Sequence, residues 1–204
     1  MKQTKNLLII GPIPPPFGGI AVQIENTAPF LCKDFDKVRI VSFTNEKRAS
    51  KNNNVSLNKY VLKKELSLFK IIKNLPLSFK VVTHCFKHKL NLRSMFAHIS
   101  KAIIINDHIL NDKITIIHYF MLDEAFLSKI FKDYYPNVVQ ITTIYGEIWE
   151  NKNFYINKMK LLESILDSMD HLFSASKFCA SSVEHIGLSN YSIEPLYYGV
   201  DLEN

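Results

Sequence analysis

The chain has 204 residues, 47% of them apolar and 12% aromatic, which is the composition of a folded domain with a sizeable core and excludes a disordered chain. Its three cysteines, Cys32, Cys85 and Cys179, are odd in number and far apart, with no C-x-x-C. That excludes a disulfide framework and a zinc cage and leaves a reduced, cytosolic protein as the expectation.

The formal charge of +6 is unevenly spread: residues 1–54 carry +4, residues 55–113 carry +8 and residues 114–204 carry −6. A basic middle beside an acidic tail points to an anionic partner, either lipid head groups or nucleic acid. The plainer alternative is lysines on solvated helix faces. No recognition helix or RNA-stacking signature supports a nucleic-acid reader, so none is expected.

In chain order, "NLLIIG" (6–11) reads as a short, fully apolar strand bounded by glycine. Gly11 and the prolines cut it off well before a secretory apolar region or a membrane span of roughly 20 residues. "KVRIVSF" (37–43) is a second strand, and the polar "TNEKRASKNNN" (44–54) a loop expected to be mobile. Residues 60–74 place Leu62, Leu66, Phe69 and Ile72 near helical spacing, and 77–90 and 94–110 read as further amphipathic helices.

"KITIIHYF" (113–120) is a strand, "MLDEAFLSKIFKDYY" a helix stopped by Pro136, and "NVVQITTIYG" (137–146) another strand. Then come a helix over 158–170, the strand "HLFSAS", a helix ended by Gly187 and a final extended segment, "YSIEPLYYGVD". Near-continuous apolar strands alternating with helices predict an α/β fold: a doubly wound, mostly parallel, Rossmann-like sheet covered on both faces. In such sheets the working groups collect at the carboxyl ends of the strands. That selects the loops Gly11–Gly19, His118–Glu124 and Tyr145–Trp149.

The first loop, "GPIPPPFGG", ends where a helix begins. A helix head offers unpaired N–H groups and the positive end of its dipole, which suits a diphosphate. Gly18 and Gly19 allow the backbone to approach without a Cβ, and the prolines stiffen the loop beforehand. Ile20, Ile24, Ala28 and Leu31 form the stripe that seats this helix, and Pro29 is expected to kink or end it early. The spacing is neither G-x-G-x-x-G nor G-x-x-x-x-G-K-[ST], and a Gly-Gly pair ahead of a helix is also simply a tight turn.

Three stretches together resemble the N-terminal half of GT-B glycosyltransferases, family 4 in particular. They are "GPIPPPFGGIAVQIENTAPFL", the pair "ITIIHYF" and "VVQITTIYGEIWE", and "LFSASKFCASSVEHIG…IEPLYYGVD" with its NGVD-like turn. The resemblance runs from about residue 6 to 202. It implies that residues 1–204 are the acceptor-binding domain of a two-domain enzyme whose C-terminal, nucleotide-binding domain lies outside this chain. It also implies a retaining transfer of a sugar from a nucleotide-sugar to a glycan or lipid-linked acceptor, in bacterial surface polysaccharide synthesis, and no resident cofactor or metal.

By the same resemblance, Gly18 and Gly19 approach the donor diphosphate. Tyr145 takes the place of a histidine that contacts the sugar or acceptor, Gly146 and Glu147 lie on the acceptor side, and Gly199, Val200 and Asp201 cross into the second domain. A phenol with its ordinary pKa of about 10 is a poor base at neutral pH. In the family's mechanism the leaving phosphate takes the acceptor's proton, so Tyr145 need only position groups.

Other candidates carry two readings each. His118 lines the cleft as a catalytic residue or is a satisfied core histidine. Asp123 and Glu124 grip a sugar hydroxyl or complement a helix dipole. Trp149 stacks on an acceptor or is structural. His84 and His88 sit one helical turn apart without a third metal ligand, and Cys179 with His171 or His185 lacks an orienting partner. The basic, apolar block at 59–101 is an amphipathic surface for the inner face of an anionic membrane or an ordinary packed helix pair.

Overall fold

Asn6–Ile10 forms β1, buried at all five positions, as a continuous apolar run in a strand covered on both faces should be. The structure, a computed structural model, describes residues 4–13, 18–43, 56–59 and 68–196. The prolines at 14–16, the polar stretch 44–54, the start of the helical pattern at 60–67 and the Gly199–Asp201 turn lie outside the described residues.

Six more strands follow: β2 (Lys37–Ser42), β3 (Ser56–Lys59), β4 (Ile116–Phe120), β5 (Val139–Ile144), β6 (His171–Ser174) and β7 (Glu194–Pro195). They form one sheet in the order β3-β2-β1-β4-β5-β6-β7, with every pair parallel. The order runs outward from β1 in one direction and from β4 in the other. The gap above the carboxyl ends of these two strands is therefore the topological switch point, where ligands of doubly wound sheets bind.

The helices are α1 (Gly19–Asp34), α2 (Leu68–Lys73), α3 (Leu75–Lys87), α4 (Leu92–Asn111), α5 (Ser128–Tyr134), α6 (Glu147–Glu150), α7 (Lys152–Asn157), α8 (Met159–Leu166) and α9 (Lys177–His185). A 3-10 turn, Leu122–Leu127, precedes α5. The expected single helix after β4 is thus split in two.

The sheet separates two apolar cores. Alternate side chains of β1 and β4, among them Leu7, Ile9 and Phe120, pack under Ile24 and Ala28 of α1. Their neighbours, among them Leu8, Ile10, Ile117 and Tyr119, join the larger core formed with α3, α4, α5 and α8. Ile20 and Leu31 complete the α1 stripe at its partly buried edges.

Pro29 does not end α1 early: the helix continues to Asp34. Its ring is exposed while Ala28 beside it is buried, so the backbone bond that proline forgoes lies on the solvent side. β3 was not expected from the sequence. At the opposite end of the sheet, Asp112 accepts bonds from Lys37, Arg39 and His108, which fastens the end of α4 to β2.

Candidate functional site at the switch point

The strand β1 ends at Gly11. A Cβ there would lie 2.8 Å from Ile24 Cδ1 and 2.9 Å from Phe120 Cβ. Only hydrogen fits where the end of β1, the end of β4 and α1 converge. Gly18 then precedes α1 in extended conformation, with no side-chain cap on the helix and no acidic residue in its first turn. Gly18 and Gly19 are exposed, and a Cβ at either would meet nothing within 4 Å. Among the described residues, the head of α1 is therefore open, with backbone donors that suit an anion.

Tyr145, just past β5, faces this opening. Its hydroxyl donates to Gln23 Oε1 on α1 at 3.1 Å, and its ring stacks on Phe120 with centroids 6.5 Å apart. The other end of the Gln23 amide, Nε2, is buried and has no hydrogen-bond partner among the described residues. A buried donor left unpaired costs free energy, and such groups mark places where something else binds. His118 points to the same face, its Nε2 2.8 Å from Thr143 Oγ1 and its ring 4.3 Å from that of Phe120. Burial lowers its pKa to about 4, so the imidazole is neutral at physiological pH.

Glu147, expected at the acceptor, is instead only 3% exposed. Oε1 accepts from Leu122 N at 3.0 Å and Oε2 from Tyr145 N at 2.7 Å, so the carboxylate ties together the loops after β4 and β5. Burial raises its pKa against the lowering effect of these backbone donors. The tie restrains a strained residue, since Met121, directly before Leu122, has φ +106°. For a side chain of that size such a conformation persists only when its surroundings enforce it.

The remaining expected residues lie around this centre. Gly146 begins α6 with ordinary space for a Cβ. Glu124 accepts from Lys101 Nζ at 3.1 Å. Trp149 stacks on Phe178 at 5.1 Å and donates to the Phe178 carbonyl, a contact between α6 and α9 at the surface, where Phe178 is exposed. His84 bonds the Phe126 carbonyl, and Cys179 Sγ meets Ser176 Oγ rather than a histidine. Among the described residues no group of three or more His, Cys, Asp or Glu is arranged to hold a metal ion. Asp34 and Asp36, the two closely spaced acids of the chain's first half, lie at the amino ends of β1 and β2, away from the switch point, and Asp36 accepts from Lys5 N at 2.8 Å.

The sequence reading takes Gly11 only as the boundary of its loop and misses Gln23, Phe120 and Thr143. Gly11 carries the steric signal at the first strand's end. Gln23, four residues after Gly19, is one ordinary polar residue beside the apolar stripe of α1 and gives little warning.

A parallel sheet in this order, with a glycine loop at its switch point, is a Rossmann-like layer of the GT-B kind. Solved structures share it. The chain aligns over 97% of its length with 46% of the lipopolysaccharide outer core galactosyltransferase WaaB in its apo form, at 13% identity and TM-score 0.55. It aligns over 97% with 50% of OtsA in its apo form, at 15% identity and TM-score 0.52. The trehalose-6-phosphate phosphatase N-terminal domain of Candida albicans matches at 13% identity and TM-score 0.51, over 98% of this chain and 50% of that one. The chain thus spans about half the length of these structures, and at such identities the likeness is one of fold. No protein-family model and no curated protein matches the sequence.

Proposed function

We propose that this chain is the acceptor-side half of a retaining glycosyltransferase, working with a separate nucleotide-binding domain that presents a nucleotide-sugar. The reading is carried by one observation: among the described residues, the head of α1 opens at the switch point without a side-chain cap, near Tyr145 and a Gln23 Nε2 that has no partner there. Gly18 and Gly19 meet the donor diphosphate, while Gln23 and Tyr145 hold the sugar or the acceptor hydroxyl. That hydroxyl attacks the anomeric carbon, the bond to phosphate breaks, and the proton passes to the departing phosphate oxygen. A neutral His118 therefore needs only to brace Thr143 and Phe120.

The acceptor is a glycan or lipid-linked sugar of a bacterial surface polysaccharide, reached from the inner face of the membrane. No helix among the described residues is long and apolar enough to cross a bilayer. Phe69, Ile72, Leu75, Phe79, Phe86 and Leu92 are each more than half exposed, among Lys70, Lys73, Lys80, Lys87 and Lys89. Apolar side chains in a basic surround favour an anionic bilayer. The same surface supports a second reading, a non-catalytic module held on membranes.

The two readings separate in one assay. In the complete two-domain enzyme, Gly19→Trp should lower donor turnover at least about a hundredfold, because the ring blocks the approach of the diphosphate. Unchanged turnover in a folded variant removes the catalytic reading. Sedimentation with anionic liposomes that weakens at high salt supports the membrane surface in either case.

A further inference from the structure

On the sheet face opposite α1, a cavity of about 250 Å3 lies among the turn after α3, the 3-10 turn and α7–α8. Its walls include Leu90, Leu122, Phe126, Phe154, Leu161 and Leu162. The polar groups at its margin are largely engaged with their neighbours. Asp123 Oδ1 accepts from Tyr155 OH at 2.9 Å, and Lys158 Nζ donates to the His88 carbonyl at 2.6 Å. What remains is an apolar hollow that water fills poorly. At the mouth Phe154 is 49% exposed, and Phe86 and Leu92, on either side of the Leu90 turn in the chain, are 63% and 66% exposed.

The surround is cationic. Lys87 and Lys158 act on His88, and Lys101 acts on His98, whose buried Nδ1 has no partner among the described residues. Glu124 is paired with Lys101, and Asp123 holds the Tyr155 hydroxyl, which leaves Lys87 and Lys158 against the single carboxylate of Asp123. We propose that this cavity receives the hydrocarbon chain of an anionic amphiphile, with its charged head held outside beside Lys158. The walls match a chain, the exposed rim matches its entry from a lipid layer, and the charge matches the head group.

One side chain ties the wall of the cavity to the switch point. Leu122 forms part of its wall and donates to Glu147, whose other oxygen holds Tyr145 N. Identifying the chain as the tail of the sugar acceptor rests on the transferase reading; the cavity's preference for a hydrocarbon does not.

Titration of the chain with dodecyl phosphate, below its micelle concentration, tests the proposal directly. Binding should be one-to-one, and shortening to decyl phosphate should weaken it roughly fifteenfold, from about 0.8 kcal/mol for each of two buried methylenes. Leu90→Trp fills the hollow from its rim and should weaken binding at least about tenfold. A diazirine-bearing alkyl phosphate should label peptides holding Leu90, Phe126 or residues 154–165, which decides the matter even if Leu90→Trp fails to fold. No binding, no dependence on chain length, or labelling confined to the Phe69–Phe79 surface would overturn it. Loss of the tail site with Gly19-dependent turnover intact sinks only this inference, whereas alkyl binding without any turnover sinks only the transferase reading.

Discussion

Tyr145 and Gln23 meet across the switch point, phenol to amide oxygen at 3.1 Å, and so couple the rim of β5 to α1. Removing this bond with Tyr145→Phe should lower stability by about 1 kcal/mol, and kcat/KM of the complete enzyme roughly tenfold. Gln23→Leu should cost activity as well, but it also removes a buried unpaired donor, so its thermal midpoint should fall less. Denaturation and kinetics of the two single variants and the double variant measure the coupling. Strict additivity would show that the two side chains work apart.

The glycines separate into two kinds. Gly11→Ala forces a methyl against Phe120 Cβ, which belongs to a rigid strand, and should destabilise by about 1–3 kcal/mol. Gly18→Ala and Gly19→Ala enter open space and should stay within about 0.5 kcal/mol of the parent. Chemical denaturation distinguishes them. Equal costs at all three positions would contradict the close approach at Gly11.

Glu147 holds two backbone donors, so Glu147→Gln presents an NH2 group to one of them. The expected loss is about 2–4 kcal/mol. Met121→Gly relieves a left-handed backbone and should cost far less than truncating a methionine normally does, within about 1 kcal/mol of the parent. If Met121→Gly proves as damaging as Glu147→Gln, the strain argument fails.

Burial holds His84, His98 and His118 at a pKa of about 4, against 6.5 in an unfolded chain. For His84 the neighbouring His88 adds to the effect, and for His98 Lys101 does. Between pH 6.5 and 4 the unfolded chain binds more protons than the folded one. Stability is therefore complete above pH 6.5, falls as pH drops through that window, and levels off below it. Burial alone would raise the pKa of Asp112, but its bonds from Arg39, His108 and Lys37 outweigh that and hold it well below the carboxylate range. Its contribution is lost only in stronger acid, while Glu147, raised by burial, binds a proton more readily in the folded chain and opposes part of the histidine slope. Calorimetry should find Tm at least about 5 °C lower at pH 5 than at pH 7.5, with a shallower slope for His98→Phe. A flat profile would show that these rings are hydrated.

Much of the layer is legible in the sequence because parallel strands covered on both faces read as apolar runs. β1, β2, β4, β5 and β6 each lie within such a run. β3, "SLNK", carries too little apolar character to stand out from the polar stretch before it. Gly18, Gly19 and Tyr145 stand out in the sequence because they lie in loops that follow strands. Glu147 is misjudged because sequence order places it on the rim but does not tell which way a carboxylate turns, and here two backbone donors draw it inward. Gln23 escapes because its importance depends on Tyr145, 122 residues away.

The two cores are unequal in a way that bears on motion. Among the described residues α1 buries three side chains, Ala21, Ile24 and Ala28, whereas α4 buries ten. Detaching α1 thus sacrifices the least contact of any long helix, and its amides should exchange with deuterium well ahead of those in α4. The helix whose head opens at the switch point is then the easiest of the long helices to shift, so any adjustment at that opening falls there while the floor beneath stays put.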